Sequence, residues 1–114
     1  MTWEEFIAAN IPAPATVTLE LLEGSGAYGD VYASPVPLSP CVIEDVQRNV
    51  PVQTDAAEGK VRIAATTVYA PLNPPVPTGS RITVPGREPA TVLSVARIPA
   101  HGLDLPEHQE LSLE

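Results

Sequence analysis

Short runs rich in β-branched residues recur along the chain, and prolines separate them. In the first run Val17, Leu19 and Leu21 alternate with Thr18 and Glu20, which is the two-residue period of a strand with one buried face. Similar runs predict six strands, at 16–22, 41–52, 60–70, 81–84, 90–98 and 109–113. The fold class we expect is therefore all-β: a small antiparallel β-barrel or sandwich with long loops. A barrel is favoured because closure removes exposed strand edges.

The third run alternates in the same way, whereas the second and fifth runs are less regular. In the third run one face collects Val61, Ile63, Ala65 and Tyr69. The opposite face collects Lys60, Arg62 and Thr66, so the first set is predicted to be buried. In the second run valines share a face with charged residues, and in the fifth Val92 and Val95 fall on opposite faces. A β-bulge or a strand buried on both sides would explain either pattern.

The chain begins with a segment of different character, residues 1–15, ahead of a predicted barrel domain at 16–114. Trp3, Phe6 and Ile7 form an apolar stripe that predicts a short helix over 3–9, ended by Asn10 and the prolines that follow. An extended arm is the alternative for this segment.

Turn chemistry predicts how the strands connect. Residues 54–59 are typical of a hairpin loop, and 85–88, with Pro85 and Gly86, of a tight turn between the fourth and fifth strands. Neighbouring strands are therefore expected to be mostly antiparallel. Two segments, 24–40 and 71–79, are too long for simple turns, and compact domains usually keep such loops for a purpose.

Composition excludes several classes of protein. The 114 residues give room for one domain, and 6 Lys and Arg against 14 Asp and Glu give a formal net charge of −8, which opposes sequence-specific binding of nucleic acid. The first residues are acidic and no apolar run is long enough for a membrane helix, so neither a signal peptide nor a membrane partner is expected. The single cysteine, Cys41, forms no internal disulfide, which suits a reducing cytoplasm.

Candidate catalytic and ligand-binding motifs are weak throughout. Residues 24–29 match the G-x-G-x-x-G pattern, but no helix can follow it because three prolines come next, so no nucleotide cofactor is expected. His101, Asp104 and His108 lie close in sequence, yet Gly102 and Pro106 prevent one helix face from presenting them to a metal. Cys41 lies in an apolar run, where a buried inert thiol is ordinary. We therefore expect no enzyme, no metal and no cofactor.

Several stretches of the chain resemble one family when they are taken together and in order. They are GAYGD at 26–30, AATTVYAPL at 64–72, VPTGSRITV at 76–84, GREPATV at 86–92 and GLDLPEHQEL at 102–111. In these stretches the chain resembles the head-to-tail stopper (head-tail connector) proteins of long-tailed actinobacterial phages. It differs from them at residues 1–15, where the family leads almost directly into its first strand.

The resemblance implies a structural protein of the virion neck, assembled in the cytoplasm of the bacterial host. It implies a homo-oligomeric ring, of six or twelve copies, between the portal and adaptor rings and the tail proteins, either terminator or tail tube. Such a ring retains packaged DNA, receives the tail, and obstructs its channel with a mobile loop until ejection. The duplex passes through the lumen without sequence-specific binding, and an acidic wall would let it slide. The alternative is a monomeric β-barrel module that binds a peptide or small partner.

Two segments are the candidate functional elements. The channel element is expected in 24–40, because glycines permit bending at one end and prolines stiffen the other. Its residues are Gly24, Ser25, Gly26, Ala27, Tyr28, Gly29, Asp30, Pro35, Pro37 and Pro40. The second segment is nearly uncharged and either contacts a neighbouring subunit or only covers the barrel end. Its residues are Pro71, Leu72, Pro74, Pro75, Val76 and Pro77.

Overall fold

The computed structural model of the chain describes residues 1–26, 29–51 and 61–114, with the side chains of 25 and 26 excepted. These described residues form one helix and ten strands. They are α1 (Trp3–Asn10), β1 (Ala15–Glu20), β2 (Leu22–Gly26), β3 (Gly29–Tyr32), β4 (Val36–Glu44), β5 (Arg48–Pro51), β6 (Val61–Ala64), β7 (Thr66–Pro71), β8 (Arg81–Thr83), β9 (Ala90–Ile98) and β10 (His108–Leu113).

Six of the strands form a ring closed by backbone hydrogen bonds, in the order β1, β4, β7, β10, β9, β8 and back to β1, and every pair is antiparallel. The predicted all-β fold with a six-stranded antiparallel barrel is therefore confirmed. Two hairpins stand outside this ring, because β2 pairs with β3 and β5 pairs with β6 in separate two-stranded sheets. Within the described residues, no helix has the length and apolarity needed to cross a bilayer.

The two hairpins leave the barrel at opposite ends. The β2–β3 hairpin connects β1 to β4, whereas the β5–β6 hairpin connects β4 to β7, and β1, β4 and β7 are antiparallel neighbours. We call the end that carries β2–β3 and residues 71–79 and 99–107 the hairpin end. The end that carries β5–β6 and the turn at 85–88 is the clasp end. Each end thus presents a different set of loops.

Inward-facing apolar side chains fill the barrel, and they follow the predicted alternation in β1, where Val17 and Leu19 are buried. In β4 both Leu38 and Cys41 point inward although they are three residues apart. The pairing of β1 with β4 explains this, since the register shifts between Ala15 and Val17 and β4 holds the extra residue of a bulge.

Both explanations proposed for the irregular fifth run hold in β9. The pairing of β10 with β9 shifts between Ser112 and Leu113, so a bulge turns Val92 and Val95 toward the same core. Leu93 then lies on the outer face, where it is buried against a second small cluster formed with Val50 and Ala64. The β5–β6 hairpin is held to the barrel wall by this cluster.

The predicted burial of the third run is wrong at its start. The run divides into β6 and β7 at Ala65, and β6 leaves the barrel to pair with β5. Ala64 is buried, whereas Val61 and Ile63 are among the most exposed apolar side chains of the chain as described, at 65% and 59%. The second run, at 41–52, is likewise divided between β4 and β5. The predicted hairpin loop at 54–59 lies outside the described residues.

The amino-terminal segment is a helix rather than an extended arm, and it packs on the barrel. Thr2 caps α1 by accepting a hydrogen bond from the Glu5 amide at 3.1 Å. Trp3 and Ile7 are buried, and the Trp3 indole Nε1 donates to the Pro40 carbonyl at 2.7 Å. The Trp3 ring also stacks on His108, with ring centroids 5.1 Å apart, so α1 lies across the outer face of β4, β7 and β10.

Candidate functional site

The segment predicted as a channel loop is a β-hairpin followed by the start of a barrel strand, so 24–40 is not one loop. Gly24, Ser25 and Gly26 belong to β2, and Gly29 and Asp30 to β3. Ala27 and Tyr28 lie outside the described residues. Pro35 lies between β3 and β4, whereas Pro37 and Pro40 lie within β4 and form part of the barrel wall. The glycine-rich motif thus lies in a hairpin, not between a strand and a helix.

The base of the β2–β3 hairpin is fixed to the barrel by contacts from distant residues. The Leu22 amide donates to the buried Ser80 hydroxyl at 2.9 Å. The guanidinium of Arg81 lies 3.9 Å above the Tyr32 ring and also pairs with Glu20 at 2.9 Å. Gly79 has a φ of +88°, a left-handed conformation that favours glycine, and a Cβ there would approach the Leu22 side chain to 2.8 Å.

The second candidate segment covers the hairpin end and is held by one buried side chain. The Gln109 amide nitrogen donates to the carbonyl oxygens of Pro71 and Pro74, both at 2.8 Å, and its oxygen accepts from the Val76 amide at 3.4 Å. Gln109 is fully buried, and Val76 lies in the barrel core.

The six residues named in this segment therefore divide into two sets. Pro71 and Val76 are buried within the chain, Leu72 is half-buried, and Pro74, Pro75 and Pro77 are exposed. The exposed set is the part that a neighbouring molecule can reach. The buried pair serves to seal the barrel.

A groove of about 390 Å³ opens at the hairpin end beside this segment. Its walls are the start of α1, residues 71–73 and the loop that joins β9 to β10. Leu103 and Leu105 of that loop are 65% and 48% exposed, and the carboxylates that line the groove belong to Glu4 and Glu107. The loop is ordered by hydrogen bonds from the Leu103 amide to Ala100 and from the Ala100 amide to Glu107.

The clasp end is closed by a charged cluster of Asp45, Arg87 and Thr66. Two nitrogens of Arg87 contact the two Asp45 carboxylate oxygens at 2.6 and 2.8 Å, and Thr66 donates to Asp45 at 2.9 Å. These hydrogen bonds lower the pKa of Asp45 to about 2, and the bond from Arg87 has a larger effect than the bond from Thr66. The predicted turn at 85–88 is confirmed, since the Arg87 amide bonds Val84 and Gly86 has a φ of +79°.

We expect this cluster to make the free energy of unfolding depend on pH in the acid range. The pKa of Asp45 is depressed by folding, so its stabilising effect is present above about pH 4 and is lost as the pH falls toward 2. The urea midpoint of the natural chain should exceed that of Asp45→Asn near pH 6, and most of the difference should disappear between pH 4 and pH 2. Both side chains are about half exposed, so salt should reduce the difference. The matched control is Glu88→Gln in the same turn, and a difference that stays constant with pH would contradict the assignment.

The side chains weighed as catalytic or metal-binding do not converge. Burial raises the pKa of Cys41 to about 12, and the fully buried thiol lies 3.3 Å from the Leu38 carbonyl oxygen, so the predicted buried thiol is confirmed. His108 is stacked under Trp3, whereas His101 and Asp104 are exposed on the loop. Across 1–26, 29–51 and 61–114, no three His, Cys, Asp or Glu side chains are placed to hold a metal ion.

A second groove, of about 290 Å³, runs between α1 and the barrel wall. Its lining is almost wholly apolar and aromatic: Trp3, Phe6, Ile11, Val42, Tyr69, Pro106 and His108. At its edge the Tyr69 hydroxyl donates to Glu44 at 3.0 Å, and Arg48 pairs with Glu44 at 2.7 Å. Burial, with the Glu44 contact, raises the pKa of Tyr69, so the phenol stays protonated.

Comparison with known proteins adds no relative: no family model, curated protein or solved structure matches the chain.

Proposed function

We propose that the chain is a structural protein of the phage neck. In this proposal identical copies form a ring between the portal and adaptor proteins and the tail, close the filled head, and offer the tail a docking surface. Support comes from the sequence resemblance described above and from a closed barrel that carries two hairpins outside its hydrogen-bonded ring.

The observation that carries the proposal is the anchored β2–β3 hairpin. A channel obstruction must resist the pressure of packaged DNA at its base and still move at its tip. The contacts of Ser80 and Arg81 fix the base, whereas Gly24 and Gly29, which have no side chain, leave more backbone conformations available in the two strands. The hairpin carries Glu23 and Asp30 and no basic residue, which suits an element that meets DNA without binding it.

The distribution of charge over the described surface is consistent with this role. Four of the five described arginines already pair with carboxylates of the same chain: Arg48, Arg62, Arg81 and Arg87. Few cations therefore remain to hold a phosphate backbone, while the net charge of −8 repels it. A duplex would slide past such a surface.

The apolar groove beside α1 favours the second candidate function, a monomeric module that binds a peptide or small partner. A groove of this size, with aromatic walls and few polar groups, can accept one or two apolar side chains. The two functions differ in assembly, since a module stays monomeric with its ligand and a stopper forms an annulus on the neck.

The deciding experiment is electron cryo-microscopy of virions that carry this gene, at residue resolution. We expect a ring of repeated density between head and tail into which the barrel fits, with the β2–β3 hairpin directed at the lumen. A neck whose density is fully accounted for by other chains would overturn the proposal. A soluble ligand in the α1 groove of a monomer would then support the module.

A second experiment measures how well heads without tails retain their packaged DNA. Deleting residues 25–30 should release packaged DNA, because the obstruction loses its tip, and nuclease-resistant DNA per head measures the loss. Replacing the same six residues by an equally long Gly and Ser linker should preserve most of the retention. If the deletion retains as much DNA as the natural chain, the hairpin is not the obstruction.

A further inference from the structure

The proline segment, residues 74–77, presents an uncharged and ordered surface at the hairpin end. Its three prolines are exposed, whereas Val76 between them is buried in the core. Proline rings restrict φ in this segment, and the hydrogen bonds of Gln109 hold it from inside the barrel. Because the segment is already ordered, little conformational entropy is lost when a partner covers it.

The groove beside α1 has the kind of lining that binds proline-rich segments. Its walls contain the rings of Trp3, Phe6, Tyr69 and His108, and no Asp, Glu, Lys or Arg occurs among its described lining residues. Flat aromatic walls bind such segments in other proteins because the extended chain is preformed and its proline rings pack against the aromatic faces. The volume of about 290 Å³ suits one or two proline rings.

The backbone of the proline segment can enter an apolar groove at a low cost in lost hydrogen bonds with water. Its prolines carry no N–H group. The Pro74 carbonyl oxygen already accepts from Gln109 at 2.8 Å, and the Pro77 carbonyl oxygen accepts from the Ser80 amide at 3.3 Å. Polar groups that are paired within their own chain lose little when water is excluded.

The polar atoms of the groove wall are paired in the same way. The Trp3 indole donates to the Pro40 carbonyl at 2.7 Å, and the Tyr69 hydroxyl donates to Glu44 at 3.0 Å. The His108 Nδ1 lies 2.9 Å from a carbonyl oxygen two residues earlier. The groove therefore suits an apolar occupant that brings few polar groups of its own.

Charged side chains next to the groove favour an uncharged occupant over a basic one. Arg48 pairs with Glu44 at 2.7 Å, and Glu110 lies 3.5 Å from the His108 Nε2. A lysine or arginine brought by a partner would compete with Arg48 for Glu44. An uncharged segment leaves this pair intact.

The chain itself leaves the proline segment and the groove apart. Residues 74–77 line neither the groove beside α1 nor the groove at the hairpin end, so one chain does not fill its own α1 groove. Two copies, each with a net charge of −8, repel one another. They are therefore expected to meet through surfaces without charge, and the segment and the groove are two such surfaces.

From this complementarity we propose that the proline segment of one copy docks into the α1 groove of a second copy. The contact is heterologous because the two surfaces differ, so it repeats from copy to copy and closes into a ring when the rotation allows it. This inference rests on the proposed ring, and it adds the surfaces through which neighbouring subunits meet. It also assigns α1 a purpose, since the helix forms one wall of the docking groove.

Paramagnetic broadening between two differently labelled chains tests the contact. A nitroxide is attached to Asn73→Cys, an exposed position beside the segment, and this chain is mixed at high concentration with the ¹⁵N-labelled natural chain. Cys41 is fully buried with a raised pKa, so the introduced thiol is the one that reacts. Trp3 is the only tryptophan, and we expect its indole N–H signal to lose most of its intensity.

The matched control carries the nitroxide on Val46→Cys, an exposed valine between β4 and β5. It should leave the Trp3 indole signal almost unchanged. Equal broadening by the two labels would overturn the proposal, because it indicates unspecific encounters. No broadening, or broadening confined to Leu103 and Leu105 at the other groove, would overturn it as well.

A pair of charge variants tests the chemistry of the contact. Pro75→Glu in the nitroxide chain should restore most of the Trp3 signal, because a carboxylate loses its hydration in an apolar groove. Pro85→Glu, the same change at an exposed proline of the clasp end, should leave the broadening as it was. Added salt should strengthen the broadening by screening the repulsion between acidic copies. A contact that salt abolishes depends on opposite charges and is not the one proposed.

The failure of this contact is distinguishable from the failure of the neck assignment. Specific broadening of Trp3, combined with imaged virions that lack the ring, would keep the contact and remove the neck role. A ring in which residues 74–77 lie away from the neighbouring groove would remove the contact and keep the neck role.

Discussion

Replacing Gln109 with methionine is expected to lower the free energy of unfolding by about 3 kcal/mol, because two short hydrogen bonds and one longer one are lost inside the fold. Methionine nearly preserves the volume, so the change removes polar contacts without opening a large cavity. The carbonyl oxygens of Pro71 and Pro74 would lose this donor at the sealed end of the barrel. Urea unfolding followed by circular dichroism measures the difference.

Ser112→Ala on the same strand is the matched control, since Ser112 lies three residues farther along β10 and is only half-buried. Its effect should stay within about 0.5 kcal/mol. Hydrogen exchange should accelerate at Val76 in Gln109→Met and remain unchanged in Ser112→Ala. Equal stability of the two variants would show that the segment at 71–79 is held by its prolines and by Val76 alone.

Trp3→Ala should detach α1 from the barrel at a cost of about 3 kcal/mol, because truncating a buried tryptophan removes packing, ring stacking and a hydrogen bond. The residue is only 5% exposed, stacks on both Phe6 and His108, and donates to the Pro40 carbonyl. Hydrogen exchange at α1 amides, compared with those of β7, measures the detachment.

The control for this variant is Trp3→Phe, which keeps a stacked ring and loses only the indole donor. It should retain most of the protection of α1, with a loss of about 1 kcal/mol. If Trp3→Ala leaves α1 amides as protected as before, Ile7 and the Thr2 cap suffice to hold the helix. In that case the stack on His108 is incidental to docking.

The sequence predicted correctly those strands and the helix whose ends are set by nearby residues. The fifth run coincides with β9 at both ends, and the helix predicted at 3–9 extends by one residue to Asn10. These elements have a clear period or a proline stop in the sequence. The barrel class followed from the number of such runs, since six short strands need a closed arrangement to hide their edges.

The β2–β3 hairpin was not predictable because its stability comes from elsewhere. Its strands hold glycines and few β-branched residues, and the contact that secures its base comes from Ser80, 58 residues away. The sequence also failed to predict the start of β4, for a different reason. Pro37 and Pro40 argue against a central strand, but this part of β4 pairs only with β1, where a missing amide is tolerated.

One functional residue did leave a signal that alternation could have found. In β10 Leu111 and Leu113 point into the barrel, and Gln109 occupies the same face two residues earlier. A polar residue at an inward position predicts a buried hydrogen-bonding role. The sequence could not predict which residues of the segment at 71–79 bond to Gln109. It could not predict the Asp45–Arg87 pair or the stack of Trp3 on His108 either, because these residues are distant in the chain and meet only in the fold.

The separation of both hairpins from the hydrogen-bonded ring has a consequence for engineering and for divergence. Each hairpin joins strands that are already neighbours, and its own ladder contributes nothing to the wall. Lengthening, exchanging or recoding either excursion therefore leaves strand register untouched, provided that Ser80 and the Leu93 cluster keep their contacts. The six-stranded barrel can therefore stay unchanged while either hairpin is replaced, so a new binding specificity can be introduced in one hairpin at a time.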